Sequence, residues 1–395
     1  MAPLLTHTDR NTARMLSAAV ECLSDIGWSG LSYHRVSQVM GASETPIRNR
    51  VASIQGLAAL TWTDRLAAPL IAALDRAASA LAGAGADDDR FARALLPLAR
   101  PTPINNATAE LLVLSSFDPT VRGAIDATLG ARLRTDLASG DADAARCAYI
   151  AALALGLLLA NRNPDTQETD LDEALRTRAR ALASDSPSTA LPDVDAAHMD
   201  EAPDLAPGDP ALHQLLTSCL TLVSMYGFDG VNVRDIARHA GFTEGLVYSR
   251  YPSKKAMFLD ALKRQNQAGW ELNHAFVTAL ERDHGPAVAE AVQWQQFQRP
   301  ARSLGRAMAL EQLRLTWHDE SLRQAAAQER AAFRASLLER PGWAEYETEG
   351  DFILNVAVPY GLYVLPLFVP DADRLPYDAV TVPLHDEFGT RHRPI

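Results

Sequence analysis

Apolar positions recur along nearly the whole chain with the 3.6-residue period of helices, and the alternation expected of strands is scarce. Leu212, Leu215, Leu216, Cys219, Leu220 and Val223 form an i, i+3, i+4, i+7, i+8, i+11 stripe, which predicts an amphipathic helix over 211–226. Met15, Leu16, Ala19, Val20, Leu23 and Ile26 hold the corresponding positions near the amino terminus. Two segments, 147–160 and 356–368, are apolar on all sides, as helices buried all round should be. Both read as too short to span a bilayer, and 356–370 contains three prolines. The Pro-rich tail after Val369 reads as irregular.

Residues 184–210 carry five prolines, seven acidic residues and no Lys or Arg. This is the composition of a semi-rigid, negatively charged linker that builds no helix and buries no apolar surface. It divides the chain into halves of similar length, and these repeat each other. At an offset of 200, residues 27–57 and 227–257 share Gly27/Gly227, Gly30/Gly230, Gly41/Gly241, Glu44/Glu244, Arg50/Arg250 and Ser53/Ser253 without a gap. Weaker echoes follow at a slightly larger offset, with Ala109-Glu110 against Leu310-Glu311 and 118–122 against 319–323. The expectation is a duplicated two-part unit: 1–60 and 211–264 as small amino-terminal domains, 61–183 and 265–395 as larger helical domains, and 184–210 as the linker.

In the second copy, 211–226 is the first helix, and Gly227 and Gly230 punctuate a turn that stops it. Asn232 is a good N-cap for a second helix over 233–240; Gly241 supplies a tight turn, and Thr243 caps a third helix over 244–251. Ile236, Ala237 and Ala240 face inward, and Val247 and Tyr251 close the small core. Helix, short glycine turn and second short helix make helix-turn-helix geometry. This stretch, VRDIARHAGFTEGLVYSRYPSKKAMF, resembles the DNA-binding domain of the TetR family of bacterial repressors. The resemblance is carried by Ile236-Ala237, Ala240-Gly241, Thr243, Gly245, Tyr248, Tyr251 and Ser253-Lys254. It implies an all-α chain of two tandem TetR-like units, each a three-helix DNA-binding domain followed by a helical ligand and dimerisation domain.

On that resemblance the third helix enters the major groove with Glu244, Leu246 and Ser249 towards base edges. Arg234 falls where the family can reach a guanine, and Tyr248 and Lys254 fall on its phosphate-binding pair. Thr243 offers a hydroxyl to phosphate or serves as a plain N-cap. Arg250 and Lys255 are further phosphate candidates or solvated charges. Glu244 either accepts from cytosine N4 or points outward as a helix-start charge. The first copy departs from the pattern: Arg48 stands in place of tyrosine, Ile54 in place of lysine, and His34 in place of Arg234. Pro46 falls in the first turn of the third helix, where its missing N–H costs little. Ser43, Arg48, Asn49 and Arg50 still offer donors, so this copy is a divergent reader or a degenerate one kept for pairing.

The chain has 395 residues and a net charge of −12, which excludes a globally basic nucleic-acid coat but not a local DNA-reading module. Of 37 basic residues only Lys254, Lys255 and Lys263 are lysines, all within ten positions. Cys22, Cys147 and Cys219 are widely spaced and read as buried free thiols. No basic and apolar leader opens the chain, so the expected location is the bacterial cytoplasm, with no membrane partner. Glycine-rich phosphate loops, HExxH, GxSxG and metal-ligand spacing are all missing, so neither catalysis, cofactor nor metal is expected.

The resemblance implies that each larger domain dimerises and that an effector pocket is usual. Packing of 147–160 on 356–368 within one chain would make a monomeric pseudo-dimer, with its two heads one DNA turn, about 34–36 Å, apart. Exchange through the linker would instead give a homodimer with four heads. Aromatic residues crowd the second half between Trp270 and Phe368. Trp294, Phe297, Trp317, Tyr360 and Tyr363 are therefore candidates to line a small-molecule pocket, against the plainer reading of core packing. The expected partner is an operator in double-stranded DNA, an imperfect palindrome because the two heads differ. The expected function is a ligand-responsive regulator, a repressor by resemblance. The alternative is a TetR-like protein that sequesters a ligand or partner and has lost operator binding.

Overall fold

Capping residues set where the chain turns. Ser32, Ser53, Thr102, Asp118, Asp209, Asn232 and Ser253 each stand at a helix N-cap and accept a hydrogen bond from the exposed backbone N–H groups of the first turn. The computed structural model describes residues 7–82, 86–160, 168–184, 191–194, 203–338 and 348–391. Trp343, Tyr346 and most of the acidic linker lie outside these.

All regular structure among the described residues is helical. The first half runs α1 (His7–Gly30), α2 (Tyr33–Met40), α3 (Thr45–Arg48), α4 (Ile54–Thr61), a π-turn (Trp62–Leu66), α5 (Ala67–Leu81), α6 (Asp88–Leu95), α7 (Pro103–Leu114), α8 (Pro119–Ile125), α9 (Ala131–Asp136), α10 (Ala142–Ala160) and α11 (Glu168–Leu182). The second half runs α12 (Pro210–Tyr226), α13 (Val233–His239), α14 (Glu244–Arg250), α15 (Lys254–His284), α16 (Pro286–Gln298), α17 (Ser303–His318), α18 (Glu320–Leu338), α19 (Glu349–Val364) and α20 (Asp378–Arg391). Each half opens with one long helix and two short ones and then builds a larger helical layer. α2 and α13 end alike. Gly41 and Gly241 take φ of 62° and 76°, and the two N–H groups at each turn return to carbonyls five and three residues back (Ser37 and Gln38, Ala237 and Arg238). That left-handed cap suits glycine, which has no Cβ to clash.

The halves meet along α10 and α19, with α11 and α20 completing a four-helix layer. The two backbones touch at two reciprocal points. A Cβ placed on Gly156 would lie 2.1 Å from the Ala357 carbonyl oxygen, and one on Gly361 would lie 1.9 Å from that of Ala152. Around this crossing Leu153, Leu155, Leu354, Val358 and Leu362 are buried. Arg178 of α11 pairs with Asp351 of α19, both 1% exposed. Such a pair stabilises little by itself, but losing either partner would strand a buried charge.

The main core runs from the amino-terminal helices (Leu16, Leu23, Ile47, Trp62) through α7 and α10 into α19 and α20. The second set of short helices has a core of its own, with Leu215, Leu216, Cys219, Val223, Ile236, Val247, Met257 and Phe258. Met308 and half-buried Leu315 of α17 extend this core onto the larger layer.

Three expectations are corrected. The tail after Val369 is not irregular throughout: α20 forms despite Pro383 inside it, because Ala379, Val380, Thr381 and Leu384 are buried against neighbouring helices. That burial outweighs the roughly 3 kcal/mol cost of an interior proline. The end of the linker does bury apolar surface. Leu205 and Ala206 are 4% and 3% exposed, with Leu205 in the second head's core, and Arg264 donates to the Leu205 carbonyl at 2.9 Å. Lastly, Ala142–Ala160 and Glu349–Leu367 are each 19 residues, and these helices, with Ile54–Leu81, are long and apolar enough to cross a membrane. The readings over 147–160 and 356–370 were short because each helix begins earlier than its uncharged run. In the first of them 78% of the apolar stretch is buried inside the protein.

Candidate nucleic-acid interface

The second head is positioned by its caps and its small core. Val247 is 1% exposed and anchors α14 on Ile236 and Ala237 of α13, so the opposite face of α14 is turned outward. That face presents Thr243, Glu244, Tyr248 and Ser249, with Leu246 half-buried beside them. Thr243 occupies the N-cap position, yet its hydroxyl makes no capping bond, so it is not a plain cap. Ser249 donates to the Leu246 carbonyl at 2.7 Å. Tyr248 is 56% exposed. Arg234 extends from the start of α13, its guanidinium 3.9 Å from Glu244. Glu244 therefore has a cation within reach on its own surface.

The basic candidates diverge. Lys254, grouped with Tyr248 as a phosphate pair, instead turns inward. Its ammonium donates to the carbonyls of Phe228 and Val231, both at 2.7 Å, and sits 3.9 Å from the Phe228 ring centroid. Burial pushes its pKa below the ordinary lysine value, with Asp229 opposing. It closes the glycine turn after α12. Arg250 is paired with Asp209, the N-cap of α12, at 2.5 Å. Lys255 is paired with Asp319 at 2.5 Å and donates to Ser321, tying the head to the start of α18. Asp319 is held down to about 2 by the Lys255 and Ser321 hydrogen bonds. Arg238, one turn along α13 from Arg234, is exposed but paired with Asp235 at 2.7 Å.

The first head has the same order of short helices with different surface chemistry. Its third helix is a single turn, with Pro46 at its start, so Asn49 and Arg50 fall at and beyond its end. Ser43, Arg48, Asn49 and Arg50 are exposed. His34 lies 3.5 Å from Glu44, the same relation as Arg234 to Glu244, and Arg48 forks onto Glu44 at 2.8 and 3.1 Å. Arg48 also lies over the Tyr33 ring.

The pocket candidates are drawn into packing. Trp294 stacks on Tyr149 of the other half at 5.3 Å and meets Tyr377 edge-on at 5.7 Å. Phe297 and Tyr360 both meet Tyr363 edge-on. Trp317 lines a cleft with Ala160, Leu313, Thr316, Arg323, Ala326 and Arg330, with about 20 Å³ of room, enough for a water molecule or so. Cys22 and Cys219 are buried free thiols, pushed up to about 11 and about 12 by burial, whereas Cys147 is only half-buried.

Comparison with curated proteins gives no match. Residues 215–261, from α12 to the first turns of α15, match the bacterial regulatory proteins of the tetR family. The match falls on the second head and supports a TetR-type DNA-binding transcriptional regulator, all-helical in the described residues.

Proposed function

We propose that the chain is a transcriptional regulator built from two TetR-like units, with its halves folded against each other as an intramolecular pseudo-dimer. The observation that carries this reading is the reciprocal crossing of α10 and α19. Positions 152 and 156 touch 361 and 357 respectively, so an offset of 205 exchanges the two contacts. A two-fold relation between halves is what such an exchange implies, and a two-fold axis is how dimeric helix-turn-helix proteins address two half-sites. On this reading Arg234, Tyr248, Thr243, Leu246 and Ser249 face one half-site, and His34, Ser43, Arg48, Asn49 and Arg50 the other. Because these sets differ, the operator is an imperfect palindrome. An effector in the second regulatory domain would relieve repression by favouring a head spacing that misfits the groove.

Selection of bound fragments from random DNA tests this reading. Unlike half-sites about one turn apart are expected, and a perfect inverted repeat would refute the assignment of both heads. The sequestration reading draws on the internal pairing of Arg250, Lys254 and Lys255 and the net charge of −12. A salt titration separates the two. A regulator shows specific binding whose log K falls linearly with log salt, and a sequestering protein shows no specific binding at any salt.

A further inference from the structure

Beneath both heads lies a buried charge cluster that neither DNA reading nor ligand binding explains. Glu110 of α7 and Glu311 of α17 are both fully buried. Each accepts the backbone N–H of the residue after a positive-φ glycine, Gly27 at the kink near the end of α1 and Gly227 at the end of α12: Trp28 at 2.7 Å for Glu110, and Phe228 at 2.6 Å for Glu311. One guanidinium serves both. Arg314 of α17, 6% exposed at its side chain, donates Nε and Nη2 to Glu311 at 2.7 and 2.8 Å, and Nη1 to Glu110 at 3.1 Å. Its Nη2 also reaches Asp229 at 2.9 Å. His318 Nε2 lies 3.2 Å from the second oxygen of Glu110.

The arrangement is two-fold in its carboxylates and one-sided in its cations. The offset of 201 that relates Glu110 to Glu311 carries Arg314 onto Val113 and His318 onto Phe117. The first half thus buries a carboxylate and supplies no cation at the matching positions. The contacts cross over accordingly. A Cβ on Gly27 would meet His318 of the second half, while one on Gly227 would meet Phe117 of the first. Two first halves brought together in this geometry would face two Glu110 carboxylates with valine and phenylalanine where cations are needed. A buried, uncompensated carboxylate opposes such a pairing strongly.

We propose that Arg314 is a positioning residue that makes unlike halves pair and thereby fixes the two heads relative to each other. This rests on the pseudo-dimer reading and deepens it. Arg314 pulls together the two carboxylates that hold the ends of the heads' first helices, so the inter-head vector is set at one guanidinium.

The test is a pulsed electron-spin distance measurement on the full chain without DNA. Nitroxides are placed at Arg35→Cys and Arg238→Cys in a Cys147→Ala background. The parent is expected to give one narrow distance; a broad one would overturn the pseudo-dimer reading itself. With the parent narrow, Arg314→Val is expected to lose the narrow distance. Val113→Arg in the Arg314→Val chain is expected to restore it, because the guanidinium then reaches the same two carboxylates from the opposite half. Retention of the narrow distance in folded Arg314→Val, or no restoration in a folded relocated variant, would overturn the role of Arg314 while leaving the pseudo-dimer intact. If Arg314→Val does not fold, Glu110→Gln decides. It keeps an acceptor for Trp28 but removes the cross-half charge pair, and an unbroadened distance in it counts against the proposal.

Discussion

Replacing Gly156 with alanine tests the seam between the halves directly. In an isolated helix the change would be favourable by roughly 0.5–1 kcal/mol, since alanine loses less backbone freedom than glycine. Here the new methyl would sit 2.1 Å from the Ala357 carbonyl oxygen, where real Cβ contacts essentially never fall below 3.0 Å. The obstacle is backbone, so α10 and α19 must part by about 1 Å. A gap of that size forfeits a quarter to a half of the dispersion contact of the side chains along the crossing, here Leu153, Leu354, Val358 and Leu362. Overpacking of this kind costs about 1–3 kcal/mol, and with two backbones in opposition the upper end applies. The net expectation is a loss of about 2 kcal/mol. Gly361→Ala should cost a similar amount. The double variant should cost less than the two together, because one separation of the helices relieves both clashes. Urea unfolding is the assay, with Gly123→Ala as control, since a Cβ there meets nothing within 4 Å. An unfolding midpoint for Gly156→Ala equal to or above the parent's would show that the helices do not approach this closely.

Lys254→Met should destabilise the second head by about 1–2 kcal/mol, since two turn carbonyls lose their donor, while leaving the salt slope of DNA binding unchanged; a slope reduced by about one would restore it as a phosphate contact. Arg234→Ala should relax base preference at one half-site by about 1–3 kcal/mol and leave the other untouched, as read by binding to single-base operator variants. His385 faces Glu290 at 2.9 Å; burial alone would lower its pKa, but that hydrogen bond and charge raise it above the ordinary value. Its stabilisation of α20 is therefore full below about pH 6.5 and fades as pH rises through the raised value. Faster amide exchange in α20 at alkaline pH, over and above the intrinsic rate, should disappear in His385→Gln. At the acid end, the Asp319 contribution holds above about pH 3.9 and is lost as pH falls towards 2, so Asp319→Asn should flatten acid unfolding in that range.

The stripe from Leu212 to Val223, the cap at Asn232 and the turn at Gly241 were legible because each is a local rule, and the three helices of the second head follow them closely. Side-chain direction was not. Lys254 reads as a basic residue in a basic cluster, and only the carbonyls of Phe228 and Val231, brought round by the glycine turn, draw it inward. Arg250 and Lys255 found acids 41 and 64 residues away in sequence. The echo between Glu110 and Glu311 was visible, but Arg314 had no mark separating it from other helical arginines. Its role depends on two segments meeting across the halves. Pro383 misled in the opposite way, because a local penalty says nothing about the surface waiting to be covered by α20.

The division of the core has a mechanical consequence. The first head shares one uninterrupted apolar interior with the four-helix layer, whereas the second closes around its own and is held to the rest by α15, by Met308 and Leu315, and by polar ties at Glu311, Arg314 and Asp319. The two heads are therefore seated by different forces: the first by continuous apolar packing, the second by a small apolar contact and a set of charged bonds. On the proposed reading, a duplex would be met on one side by a head seated through apolar packing and on the other by a head whose seating depends on buried charge.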